Sequence, residues 1–317
     1  MAIRFPDSKM IQTNGINMEI FEQGKGLPVI LAHGFPELAY SWRFQIPALA
    51  EAGYRVIAPN QRGYGETDKP EVVESYDIRH LCGDMAGLMD ALDLEKAIFV
   101  GHDWGGPVIW NMPLLYPDRV TGVVGMSVPF SPRGKADPIT VLEQIFGPEH
   151  YIVHFNRKPG VADAAFAANP RRFFNNIFRK RLWVDQKAGP STQQPSFNVS
   201  LMKMLDVTNP PGEPLMPDEE MDVFVEAFAK GGFTGPINWY RNITRNWETS
   251  ADLPQRIDVP CGMIYGKYDI VPRAGDISEY VPNLEIITIE CGHWIQQEKP
   301  DEVNAFLLDW LKRNEPK

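Results

Sequence analysis

Apolar and polar positions along the first half of the chain switch repeatedly between two periods. Leu27–His33, Tyr54–Pro59, Lys96–Gly101 and Val120–Met126 are short, almost continuously apolar runs. Runs of this length read as strands buried on both faces of a parallel sheet. Between them, Ser41–Ala52, Asp77–Leu92 and Trp104–Tyr116 carry helical spacing. The segment Lys9–Gln23 alternates about Asn14-Gly15 and predicts an antiparallel hairpin. Strand and helix in regular succession predict an α/β fold with right-handed crossovers.

The pattern breaks after Pro129. From there to about Trp247 the chain is rich in Pro, Asn, aromatics and amphipathic helices such as Asp218–Lys230, with no sheet strand expected. Strand-like runs return at Val259–Tyr265 and Leu284–Glu290, and Pro300–Arg313 closes the chain as an amphipathic helix. The economical reading is one sheet domain, residues 1–128 and 248–317, interrupted by a helical cap at 129–247.

Composition narrows the partners. The 317 residues are 44% hydrophobic and 23% charged, a globular profile long enough for one large core. A net charge of -10 is the wrong sign for a phosphate-backbone binder, so no nucleic-acid partner is expected. No run approaches the ~20 apolar residues of a membrane span, and the opening Met-Ala-Ile-Arg-Phe-Pro-Asp-Ser has no apolar leader. Cys82, Cys261 and Cys291 are sparse, odd in number and not spaced as metal ligands, which fits a reducing, cytoplasmic setting. The Asn-x-Ser/Thr triplets at Asn198 and Asn242 then carry no meaning. No HExxH, P-loop or Cys/His cluster is found, so no cofactor and no metal are expected.

Candidate chemistry begins at Gly101-His-Asp-Trp-Gly-Gly106, where a strand turns into a helix. Small residues around a central side chain let strand and helix pass close together while that side chain projects above the sheet, as in a nucleophile elbow. The central residue is Asp103 where most elbows carry Ser. A carboxylate is a poor nucleophile toward esters and amides, because it leaves more readily than the alcohol or amine it would displace. It can attack saturated carbon bearing a strained or good leaving group and form an alkyl-enzyme ester. Epoxides and alkyl halides are such substrates. An ordinary glycine-rich turn with a capping Asp is the competing reading of the motif taken alone.

His33-Gly-Phe-Pro36 after an earlier strand has the form of an oxyanion loop, with the backbone N–H groups of Phe35 and Trp104 facing Asp103. Among six histidines, His293 in Cys291-Gly-His-Trp294 alone completes the order nucleophile, acid, His. Asp269 in Gly266-Lys-Tyr-Asp269 supplies the acid; the alternative acid position after Val120–Met126 holds Ser127. With a carboxylate nucleophile, His293 serves to activate water and must be neutral when that step begins.

These motifs, with Tyr40-Ser-Trp-Arg, Gly53-Tyr-Arg-Val, Gly63-Tyr-Gly-Glu and Phe233–Asn242, resemble the epoxide hydrolases of the α/β-hydrolase superfamily over nearly the whole chain. The likeness is especially to the hydrolase domain of the mammalian soluble enzyme. It implies an α/β-hydrolase fold, a mostly parallel eight-stranded sheet with an inserted helical cap. It also implies that two cap tyrosines, Tyr151 and Tyr240 by motif match, hold the epoxide oxygen. A phenol of pKa about 10 can donate to the alkoxide formed on ring opening while staying protonated at neutral pH. Phe35, Trp104, Trp239 and Trp294 are expected around an apolar pocket, although each residue type suits a core equally.

Two departures stand out. Asn156-Arg-Lys occupies a stretch where relatives often have Gln and an acid, and Pro113 falls inside the helix after the elbow. The rival readings are a haloalkane or haloacid dehalogenase, with Trp104 as a halide donor, and a non-catalytic ligand-binding protein on the same scaffold. Phe35 has no side-chain donor for halide, and the tyrosine pair suits an epoxide oxygen. The expected partners are a small epoxide and water, with a homodimer left open.

Overall fold

A computed structural model describes residues 5–180 and 197–315; Met1–Arg4, the start of the segment read for a leader, lie outside them. Strands β1 (Ser8–Thr13) and β2 (Ile16–Gln23) form the expected hairpin, with Asn14 and Gly15 both at positive φ. The chain continues through β3 (Pro28–Ala32), helix α1 (Gln45–Glu51), β4 (Arg55–Asn60), α2 (Ile78–Ala91), β5 (Ala97–His102), α3 (Gly105–Leu115) and β6 (Val120–Met126). Asp77 caps α2 by accepting from the His80 N–H, and Pro113 sits in the last turn of α3.

After β6 come the helices α4 (Pro138–Phe146), α5 (Tyr151–Arg157), α6 (Val161–Ala168) and α7 (Pro170–Ile177), then α8 (Leu201–Met204), α9 (Asp218–Gly231), α10 (Thr234–Arg241) and α11 (Ile243–Thr249). Two residue pairs, Arg179 with Pro214 and Lys180 with Glu213, form a small ladder of β7 (Arg179–Lys180) and β8 (Glu213–Pro214). This corrects the strand-free reading of the insertion: two residues are too few to carry a period-two signal. The chain then returns through β9 (Cys261–Gly266), β10 (Leu284–Ile289), α12 (Ile295–Glu298) and α13 (Pro300–Asn314).

The eight-stranded sheet runs β1-β2-β4-β3-β5-β6-β9-β10, with β1/β2 and β2/β4 antiparallel and every other pair parallel. Its central strands bury alternate residues on opposite faces. Ile30, Ile57, Phe99 and Val123 pack toward α2, α3 and the insertion, whereas Val29, Val56, Val100 and Val124 pack toward Trp42, Leu307 and Trp310. Strand β3 has β4 on one side and β5 on the other. The loops leaving the carboxyl ends of β3 and β5 therefore part, opening the crevice in which α/β sheets bind ligands.

The stretch expected as one helix over Ser41–Ala52 is instead a 3-10 turn, Ala39–Trp42, followed by α1. Pro47 explains the break: it has no N–H, and its ring would collide with the carbonyl of Arg43 in a continuous helix.

Candidate active site

The elbow holds Asp103 at φ 48°, in the left-handed region that non-glycine residues rarely enter. Such strain persists where the surroundings enforce it. Gly106 N donates to Asp103 O at 2.8 Å, closing the turn into α3. A Cβ on Gly105 would collide with the Ala32 carbonyl, and one on Gly34 with the Asp103 side chain, so neighbouring loops approach as only glycine permits.

Asp103 is buried. Its Oδ1 accepts from Phe35 N at 2.8 Å, and the Trp104 backbone N–H also bonds the carboxylate. The Phe35–Pro36 peptide is cis. Oδ2 faces His293 Nε2 at 3.7 Å. On the far side of that ring, Nδ1 lies 2.9 Å from Asp269 Oδ1, which also accepts from Val271 N at 3.1 Å. The loops after β5, β9 and β10 thus bring Asp103, Asp269 and His293 into one line at the carboxyl edge of the sheet.

The charges are strongly coupled. Burial pushes the Asp103 carboxyl up, against the opposing pull of His293, His102 and the two N–H groups. Burial would also raise Asp269, but His293, the Ser127 hydroxyl and the Val271 N–H outweigh it and hold this carboxyl below its usual value. Burial would depress His293, yet Asp269, then Asp103 and Glu37, hold it up at about 9.

Tyr151 at the start of α5 and Tyr240 in α10 face this line from the insertion. Their ring centroids are 5.7 Å apart and their hydroxyls are hydrogen-bonded. The Trp104 indole also bonds Tyr240. Burial first, and then neighbours that include Asp103, raise both phenols, so each keeps its proton well above neutral pH. Asp103, Trp104, Tyr151 and Tyr240 share the wall of a cavity of about 720 Å³ whose other walls include Trp110, Phe197 and Trp247.

Three expected pocket residues are placed differently. Trp239 is fully buried and donates its indole N–H to Arg62 O at 3.0 Å. Trp294 donates to Ile177 O at 3.1 Å and stacks edge-on to His293. The Phe35 ring packs among Phe155, Phe173 and Tyr240. None of the three lines the cavity. Buried carbonyls satisfy both indoles, and ring-edge packing fixes all three as core. Trp104 alone of the four reaches the cavity.

Beneath the site lies a buried polar layer that no motif in the sequence marks. Glu37 Oε2 accepts from Gly34 N at 3.0 Å and lies 2.6 Å from His102 Nδ1, while Oε1 accepts from Gln296 and Gln297. His102 Nε2 meets the His293 carbonyl at 2.8 Å, so one ring ties the oxyanion loop to the base loop. Burial would raise Glu37, but His102 and the other partners hold it down at about 2. Among the described residues no group of three or more His, Cys, Asp or Glu is arranged to hold a metal ion, and no helix is long and apolar enough to cross a membrane.

Sheet order, elbow and the Asp–His–Asp line together define an enzyme of α/β-hydrolase type with the Asp103 carboxylate at the elbow. Residues 28–300 match the family model described as alpha/beta hydrolase fold. The chain is 43% identical over 316 residues to epoxide hydrolase A of Mycobacterium tuberculosis (strain ATCC 25618 / H37Rv), covering 96% of this chain and 97% of that one. It is 38% identical to bifunctional epoxide hydrolase 2 of Mus musculus, over 94% of this chain and 54% of that longer protein. The crystal structure of epoxide hydrolase A from Mycobacterium thermoresistibile superposes with a TM-score of 0.88 at 41% identity, covering 98% of this chain and 100% of that one. The chain belongs to the epoxide hydrolases of the α/β-hydrolase superfamily.

Proposed function

We propose that this protein converts epoxides to vicinal diols in two half-reactions at Asp103. The supporting observation is the Asp103 carboxylate itself: its Oδ1 accepts from the Phe35 N–H, its Oδ2 faces His293, and it shares a cavity with two protonated phenols. Oδ2 attacks a ring carbon. The C–O bond breaks, its electron pair goes to the epoxide oxygen, and Tyr151 and Tyr240 supply hydrogen bonds and a proton. The product is a hydroxyalkyl ester of Asp103.

In the second half-reaction His293 Nε2 takes a proton from water as the water oxygen adds to Cγ of Asp103. The N–H groups of Phe35 and Trp104 stabilise the charge that develops on Oδ1. On collapse the departing Oδ2 takes the imidazolium proton and leaves as the diol's new hydroxyl, and the second water proton, left on the Asp103 carboxyl, returns to the tyrosinate. Esterification also prepares the base. While Asp103 is ionised it helps hold His293 up near 9. The ester is neutral, so that contribution disappears and the imidazole becomes easier to deprotonate.

Residues 129–247 are read as a cap that supplies the two phenols and closes the cavity over the carboxyl edge of the sheet. The buried free thiols of Cys82, Cys261 and Cys291 suit a cytoplasmic enzyme. Dehalogenation is disfavoured because the Trp104 indole is engaged by Tyr240 and position 35 offers no side-chain donor.

The test is incubation with a small terminal epoxide and, separately, a haloalkane. Wild type should release diol from the first and no halide from the second, and Asp103→Ala should release neither. Halide release without diol formation would overturn the assignment.

A further inference from the structure

Ser127 follows directly on β6, which lies between the elbow strand β5 and the acid strand β9. Its backbone N–H bonds Ile264 O of β9 at 3.1 Å, and it is fully buried. Its φ of 69° is left-handed, a conformation serine adopts only at a cost. Its hydroxyl oxygen lies 3.1 Å from His293 Nδ1. Nothing in the two half-reactions yet uses this side chain.

The geometry assigns a task. A neutral His293 with Nε2 bare must carry its one proton on Nδ1, and Asp269 Oδ1 at 2.9 Å receives it. The Ser127 oxygen at 3.1 Å offers a second lone pair to the same N–H. Nδ1 thus faces two acceptors, the Asp269 carboxylate and the Ser127 hydroxyl. Turning the imidazole over would replace that N–H by C–H and lose both acceptors. Pivoting the ring would break at least one contact. Either movement takes Nε2 away from Asp103.

We propose that Ser127 is a positioning residue for the hydrolytic half-reaction, its hydroxyl holding His293 in the tautomer and rotamer that aim a bare Nε2 at the Asp103 ester. The proposal rests on the two-step reading above. Alkylation needs only Asp103 and the phenols, so Ser127 matters after the ester forms and not before.

Two variants separate hydroxyl from backbone. Ser127→Ala removes the hydroxyl and keeps the left-handed strain; Ser127→Gly removes the hydroxyl and relieves it. Rapid mixing with styrene oxide, acid quench and mass spectrometry of Asp103 would give the alkylation and hydrolysis rates separately. Both variants should alkylate within about twofold of wild type and hydrolyse the ester about tenfold more slowly, the scale of one hydrogen bond. The ester should therefore accumulate in both. Thermal unfolding should place the Gly variant at or above the Ala variant, although their hydrolysis rates match. Wild-type hydrolysis in both variants would overturn the proposal. So would slow hydrolysis in Ala alone, which would assign the effect to backbone strain. If Ala fails to fold, Gly carries the same comparison. Absence of any Asp103 adduct, in wild type included, would sink the two-step reading itself and is distinct from both results.

Discussion

The site has two walls of opposite character. The sheet wall is charged and bound by hydrogen bonds: Asp103, Asp269, His293 and Glu37 are buried and tied to backbone N–H groups or to one another. The wall contributed by the insertion is neutral and held by ring packing. Tyr240 lies edge-on to Phe35, Trp104, Phe155 and Tyr151, and Tyr151 to Phe155 and Phe197. The difference follows from the chemistry asked of each. A nucleophile and a base work only in defined protonation states and directions, which fixed dipoles enforce. Phenols donating to a leaving oxygen must stay neutral and meet substrates of differing shape, and apolar packing serves both needs.

The comparison can be broken from either wall. The largest effect is expected from the insertion side. The double variant Tyr151→Phe/Tyr240→Phe leaves the departing oxygen without a donor in a water-poor cavity, and alkylation measured by rapid quench should fall by more than ~10⁴-fold. A double variant that opens epoxides at the wild-type rate would make both tyrosines structural. Next, His293→Gln should alkylate normally and then stall, its ester hydrolysing roughly 10³–10⁴-fold more slowly, with the adduct visible by mass spectrometry. Each single tyrosine variant should slow alkylation by about 10²-fold, because the other phenol remains, and should leave ester hydrolysis intact.

The pH profile separates the walls again. His293 must be neutral to accept a proton, so ester hydrolysis should rise with pH and level off above the imidazole pKa of the alkyl-enzyme. That level lies below the resting value of about 9, because the Asp103 charge that helps raise it is gone. Alkylation should show no loss up to pH 9, since both phenols are raised. A hydrolysis rate that falls as pH rises from 6 to 9 would refute the role of His293. The smallest effect on turnover should come from Trp239→Phe. Losing the bond to Arg62 O should cost about 1 kcal/mol of stability, read by denaturant unfolding, and leave KM for a small epoxide unchanged.

The walls also differ in how far they can be read from sequence. The sheet side is written locally: buried strands give unbroken apolar runs, and the elbow, the oxyanion loop and the base loop each occupy a few consecutive residues. Strand ends fall within two residues of those expected, as with β9 at Cys261–Gly266 against Val259–Tyr265. Pro47 is the local signal that divides Ser41–Ala52, although the helical periodicity runs through it. Tyr151 and Tyr240 carry no such signal, and only the likeness to a family singles them out among ten tyrosines. The Glu37–His102–His293 tie and the contact from Ser127 to His293 join residues far apart in the chain, so composition and spacing do not reveal them. The places of Trp239 and Trp294 are hidden from the sequence for a related reason. An indole that finds a buried carbonyl belongs to the core, and that carbonyl cannot be located before the chain is folded.

The central claim is that Asp103 forms a covalent ester, and a single turnover in oxygen-18 water tests it most directly. With enzyme in excess over epoxide, the new oxygen of the first diol comes from Asp103 Oδ2, and the water oxygen enters the carboxylate. The account therefore predicts an unlabelled diol and one heavy oxygen in the peptide containing Asp103. A labelled diol with an unlabelled Asp103 would mean that water attacks the epoxide directly and would contradict the account.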